Sequence, residues 1–400
     1  MHRHRQAELD GVRAVAALLI LLYHLAANTG LIDGQGVRSA LFNAGQVGVA
    51  LFFALSGLLL YRPWAKAALD GTPRPAAGRF LRRRAVRLLP AYWALVIAFM
   101  LLFADGHRTD PLTWTALLSL THLYLPGQWW PSPLGPPRLG PIWSLTVEAA
   151  WYLALPLTAA VLGRFAGRAR SADRRGARLL IAIGAYTVLS FLFTAALFAT
   201  SAQDRLGILF PRYCAWFAVG MALAVLAEWT RSRPDGALTE FCRTIAAARW
   251  SCWLSALALY AIAGTALTGP RDFSSPDVLW TAELRLLVYG ACALCFLAPV
   301  ALSPADGLLA RPVPRFLGEI SYGIFLWQMP VVLTVVPLVG PRFLVATALT
   351  VPSTIAIAML SHRLIERPVQ AWTTGRPKSA PRPAEGALAR PPRTRPQPQR

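Results

Sequence analysis

The sequence predicts an all-α polytopic membrane protein of about ten transmembrane helices, with both termini on the cytoplasmic side. Three observations carry that expectation. Of its 400 residues, 55% are hydrophobic and only 15% charged, with a mean hydropathy of +0.45. That leaves too little polar surface to coat a soluble globule, so lipid serves as solvent. Apolar stretches near bilayer-spanning length recur between Arg, Pro and Gly punctuation, the pattern of a helical bundle rather than a barrel. The basic residues are also distributed unequally between alternate connections.

The apolar stretches fall at roughly 13–28, 44–62, 86–104, 141–162, 178–200, 207–229, 250–268, 282–302, 316–338 and 343–362. An even number of spans puts both ends on one side. With the N-terminus inside, only Arg38, Arg108, Arg138, Arg205, Arg271 and Arg342 of the 40 Lys and Arg residues lie outside. Nearly all the others fall in the inside segments, which fixes the orientation expected of a multi-pass plasma-membrane protein. The net charge of +21 therefore reads as topology. It excludes nucleic acid as the natural partner and points to anionic lipid and an anionic cofactor.

The basic start before the first apolar run resembles a secretory signal, but the run holds Arg13 and His24 and further spans follow at once, so it is read as a retained first helix. The segment Leu112–Leu125 is short for a span and is expected to be re-entrant or interfacial. The Pro-, Gly- and Trp-rich stretch after it, with Trp129 and Trp130, suits the outer interface together with Trp143. No repeat of 20–50 residues is visible. The five cysteines read as buried reduced thiols; Cys292 and Cys295 lack the second pair or nearby His of a zinc site, and no metal is expected. Domain boundaries are set at a cytoplasmic segment 1–12, a membrane domain 13–368 and a disordered, basic, Pro-rich cytoplasmic tail 369–400.

Charged and titratable residues inside spans are costly and so carry functional hypotheses. Arg13 and His24 are eleven residues apart in the first helix, nearly on one face and roughly 16 Å apart along the axis. That spacing suits a ligand with an anionic head at Arg13 and a reactive tip at His24, as in the pantetheine arm of coenzyme A; alternatively, Arg13 simply pairs with Asp10. Glu148, near the outer end of its helix, is expected level with His24, where a carboxylate would orient the imidazole as a base. Its alternative is an ion pair with Arg212 or Arg285. Arg84 and Arg87, three apart at the cytoplasmic end of the third span, suit cofactor phosphates. Arg82 and Arg83 read as ordinary inside charge. Ser56, before Gly57 in the second span, suits close helix packing or contact with a substrate.

Taken in order, Leu9-Asp-Gly-Val-Arg13 with ten residues to His24, Phe52-Phe-x-x-Ser-Gly57, the arginine run before Pro90, Trp143-Ser-Leu-x-x-Glu148, Ser321-Tyr-Gly-Ile-Phe-Leu-Trp327 and Glu366-Arg-Pro368 resemble the membrane acyltransferase 3 family, which includes O-acetylases and macrolide acyltransferases. The resemblance implies a ten-helix domain that transfers an acyl group, acetyl being the first expectation. The donor would be acyl-CoA, held as a co-substrate rather than a permanent cofactor. The acceptor would be a hydroxyl of a glycan, glycolipid or macrolide-like metabolite. By position it makes His24 catalytic, Arg13 its motif partner, and Arg84, Arg87 and Glu148 supporting site residues; with the reading of the residues above, His24 and Glu148 are expected to be catalytic, Arg13, Arg84 and Arg87 cofactor-binding, and Ser56 and Tyr322 substrate-binding. One departure is Gln328, where the family's motif often carries His; an amide cannot take up a proton at neutral pH.

The leading expectation is direct transfer, with His24 as base, and a variant passes the acyl group through His24 itself. The rival reading is a transporter or flippase for a lipid-linked or anionic substrate. A structural scaffold does not explain why His24, Glu148 and Glu319 sit in apolar stretches.

Overall fold

The computed structural model describes residues 2–34, 36–125, 128–130, 132–270, 277–303 and 307–374. It is built from helices, with no strand among the described residues. In chain order these are α1 (His2–Asn28), α2 (Val37–Asn43), α3 (Val47–Asp70), α4 (Ala77–Leu102), α5 (Pro111–Leu118), α6 (Ile142–Gly167), α7 (Ala172–Ala199) and α8 (Gln203–Leu206). Then follow α9 (Cys214–Ser232), α10 (Ala237–Ala247), α11 (Arg249–Ala263), α12 (Leu279–Leu302), α13 (Pro312–Glu319), α14 (Ser321–Val339), α15 (Phe343–Ser361) and α16 (Arg367–Thr374).

Among the described residues, nine helical stretches are long and apolar enough to cross a membrane, and a tenth forms if α10 and α11, bent by 70° at their junction, count as one broken span. Nine of the ten expected spans are thus present as long apolar helices, and the stretch 250–268 qualifies only as part of the bent pair. The second reaches back to Val37 through a 3-10 turn at Ala44–Gln46. Leu112–Leu125 contributes only the eight-residue α5, which Asp110 caps by accepting from the amides of Leu112 and Thr113. Tyr92 and Trp93 hold it against α4 by donating to the carbonyls of Leu117 and Leu118.

Two expectations change. Glu319 does not lie in a span: α14 starts at Ser321, and Glu319 ends the short α13, paired with Arg315 at 3.2 Å and partly exposed. The apolar run continued through it in sequence because Phe316, Leu317 and Ile320 flank it. Residues 369–374, assigned to a disordered tail, are helical in α16, while 375–400 lie outside the described residues.

Helices α1, α3 and α9 are the best-covered spans, and α7 and α15 carry exposed faces, with Ile181, Leu192, Leu344 and Leu349 facing outward as lipid-facing side chains do. The α3–α9 contact is the most intimate. A Cβ on Gly220 would lie 1.8 Å from the Ala54 carbonyl oxygen, and one on Gly57 2.1 Å from that of Phe217, so only glycine admits this backbone approach. Around it Phe53, Phe217 and Trp151 stack at 4.5 and 4.3 Å. Prolines lie inside α3, α4, α6, α12, α14 and α15, as membrane helices allow more readily than soluble ones. At the arginine-rich end, a buried two-pronged pair from Arg249 to Glu8, at 2.9 and 3.3 Å, ties α1 to the start of α11.

Candidate active site

The bundle holds two cavities on either side of a shared partition. The first, about 320 Å³, is lined by Arg13 of α1, Ser56 of α3, Arg84 and Arg87 of α4, Glu148 and Tyr152 of α6, and Tyr322 of α14. The second, about 990 Å³, is lined by His24 and Asn28 of α1, Gln46, Gln203, Arg212, Asp277 and Arg285. Val49, Ser144 and Phe325 line both. The partition therefore lies where α3, α6 and α14 meet, and α1 runs past it with Arg13 on one side and His24 on the other.

In the first cavity one Glu148 oxygen accepts from the Ser56 hydroxyl and from the Tyr152 hydroxyl at 2.6 Å. Tyr152 sits one helical turn beyond Glu148, so the second bond is built into α6. Arg13 pairs with Asp10, the alternative the sequence offered, and still lines the cavity. Arg87 is a charged neighbour of both Arg13 and Arg84. The Arg84 Nε is buried without a hydrogen-bond partner. Tyr322 donates to the Leu88 carbonyl at 2.6 Å, fixing α14 against the arginine-bearing turn of α4. Three guanidiniums and one carboxylate, Glu148, line this cavity, a positive excess that suits a polyanion.

In the second cavity the His24 Nδ1 is buried with no partner among the described residues. Its polar neighbour is Gln328, which is fully buried, donates to the Phe325 carbonyl at 3.2 Å and leaves its own Oε1 unpaired. The departure noted in the sequence thus stands beside the imidazole. Arg285 and Asp277 pair at 3.1 Å, and Arg212 approaches the same carboxylate at 3.7 Å.

The structure gathers Arg13, Ser56, Arg84, Arg87, Glu148 and Tyr322 in one cavity and separates His24 from them. The expected His24–Glu148 contact is absent among the described residues: Glu148 is bound to Ser56 and Tyr152 on the arginine side. The expectation measured depth from helix ends, but α6 starts at Ile142 while α1 ends at Asn28, and those ends need not be level. Nor does Glu148 pair with Arg212 or Arg285, which share Asp277. Tyr152 was missed although its i+4 spacing from Glu148 was available. Asp277 lies in a connection where no periodicity points to it.

A family model described as an acyltransferase domain matches residues 6–363. Over 387 residues the chain is 26% identical to the Bacillus subtilis (strain 168) protein named "Putative peptidoglycan O-acetyltransferase YrhL", covering 90% of this chain and 54% of that one. Over 384 residues it is 23% identical to peptidoglycan O-acetyltransferase OatA of Listeria monocytogenes, covering 90% and 55%. A shorter match, 31% over 160 residues, joins it to acyltransferase MdmB of Streptomyces mycarofaciens, covering 38% and 39%. The chain spans about half the length of the two peptidoglycan O-acetyltransferases. No solved structure matches it.

Proposed function

Because the chain belongs to the family of this acyltransferase domain, we propose that it transfers an acyl group, acetyl in the first instance, from acyl-CoA to the hydroxyl of a glycan, glycolipid or macrolide-like acceptor in the plasma membrane. The observation that carries the reading is the pair of cavities meeting at Val49, Ser144 and Phe325, with three arginines in one and His24 in the other. A thioester cofactor with phosphates at one end and its reactive carbon at the other matches that division.

In this reading Arg13, Arg84 and Arg87 hold the phosphates, and the pantetheine arm extends along α1 towards His24. The acceptor hydroxyl occupies the larger cavity. His24 takes its proton as the oxygen attacks the thioester carbon; the new C–O bond forms, the C–S bond breaks, and the proton passes to the departing thiolate. Glu148, held by Ser56 and Tyr152, balances and positions the arginines instead of orienting the imidazole. Tyr322 steadies the same wall.

The test uses purified protein in detergent with acetyl-CoA, following free thiol with and without a sugar acceptor. Thioester cleavage that His24→Gln reduces by roughly two to four orders of magnitude, the usual worth of a positioned base, supports the reading. Near-native cleavage by His24→Gln removes His24 as base, and no cleavage by the unaltered protein favours the transporter. Arg84→Ala with Arg87→Ala should raise the donor KM more than it lowers kcat, because phosphate contacts are shared by ground and transition states. An unchanged KM removes them from the donor site.

A further inference from the structure

The larger cavity contains more charge than the transfer chemistry uses. Among the described residues its charged lining groups are Arg212, Arg285 and Asp277, two cations sharing one carboxylate. Asp277 is committed to Arg285: Nη1 reaches Oδ2 at 3.1 Å and Nη2 reaches Oδ1 at 3.4 Å, while Nε donates to the Thr268 carbonyl at 2.6 Å. Arg285 is thereby fixed on every side of its guanidinium.

Arg212 is held differently. Its Nη1 donates to the Gly207 carbonyl at 3.0 Å, and its backbone carbonyl accepts from the Ser190 hydroxyl. Its approach to Asp277, at 3.7 Å, is too long for a hydrogen bond. A guanidinium has five N–H donors, and among the described residues most of those of Arg212 are uncommitted although its side chain is only 13% exposed. A largely covered cation at the end of a span, with only a 3.7 Å approach to a carboxylate shared with Arg285, is short of counter-charge. The arrangement is stable when an oxyanion enters and accepts from it bidentately. Gln203, whose Oε1 is buried without a partner, adds an acceptor for a hydroxyl on the same wall. The volume, about 990 Å³, is at the upper end of ordinary small-ligand sites.

We propose that the acceptor is a sugar bearing an oxyanion, a carboxylate or a phosphate, and that Arg212 binds this group while the Gly207 carbonyl positions Arg212 and Arg285 keeps Asp277 occupied. The proposal rests on the reading of this cavity as the acceptor site and names the acceptor's charge. It adds a specificity determinant at Arg212, on the opposite wall from the residues of the smaller cavity.

The experiment measures the thermal midpoint of the purified full chain with glucuronic acid, its methyl ester, glucose 6-phosphate, glucose or glycerol 3-phosphate. The acid or the sugar phosphate should raise Tm by about 2 °C or more near ten times its Kd, and the ester and glucose should not. Which of the two acts tells carboxylate from phosphate. Arg212→Gln should abolish the shift and Arg212→Lys should restore part of it, since Lys keeps the charge and loses the planar fork. The acid-against-ester comparison uses unaltered protein, so it stands even if a variant misfolds. Equal shifts with charged and neutral sugars, no shift with any sugar, or a full shift retained in Arg212→Gln overturns the proposal. A shift with glycerol 3-phosphate alone assigns Arg212 to a lipid head group and also overturns it. Binding is read without turnover: His24-dependent thioester cleavage with no charge preference defeats only the oxyanion, and a charge-selective shift in a protein that cleaves no thioester defeats only the transfer.

Discussion

His24 and Glu148 carry the sharpest change between what the sequence promised and what the structure supports. Had they formed one base-and-orienter unit, His24→Ala and Glu148→Gln together would cost little more than His24→Ala alone. With Glu148 bonded to Ser56 and Tyr152 in the other cavity, the two losses in kcat/KM should instead multiply, and a double-mutant cycle measures this. A strongly sub-multiplicative result would restore the coupled pair. A second prediction belongs to His122, buried in the connection after α5 with both ring nitrogens unpartnered among the described residues. Burial lowers its pKa from 6.5 to about 4. A depressed folded pKa means that the stability it contributes is present above 6.5 and is lost as pH falls towards 4. Protease nicking of this connection should therefore rise over that interval, and His122→Leu should flatten the dependence; an unchanged profile in His122→Leu assigns the effect elsewhere. The arginine cavity was legible in sequence because Arg84 and Arg87 share a helical face, whereas the depth of Glu148 relative to His24 depends on tertiary offsets that no single-helix pattern encodes.

At the scale of elements, the glycine contact between α3 and α9 is where one methyl group matters most. Gly220→Ala puts a Cβ 1.8 Å from a backbone oxygen that cannot swing away. It should destabilise the protein by about 1–3 kcal/mol or more, seen as a lower Tm in detergent. Gly184→Ala on α7, with nothing within 4 Å of the new atom, should leave Tm unchanged or raise it slightly. Equal effects at the two positions would remove the close-approach argument. Spans were legible wherever apolar length alone defines a helix. The 70° bend between α10 and α11 was not: 250–268 reads as an ordinary short span, and α10 falls between two apolar stretches, outside both. The buried bond from Arg249 at this bend to Glu8 joins positions 241 residues apart, beyond any local pattern.

For the whole molecule, composition and apolar spacing were enough to give an all-α bundle and nearly every span, because a lipid environment allows few other backbones. The N-in and C-in orientation rests on the charge bias. A reporter active only outside the cell should stay silent when fused at the C-terminus and be active when inserted near Gly34; activity at the C-terminus overturns the ten-span arrangement. The shared wall of Val49, Ser144 and Phe325 has a consequence for pharmacology. Two compartments that share these three lining residues offer two adjoining addresses for inhibitors. A compound shaped to the Arg212 end of the larger cavity should compete with the acceptor and leave the phosphate contacts of the donor untouched. Linking it through the wall to a weak ligand of the arginine side would turn two modest affinities into one effective local concentration.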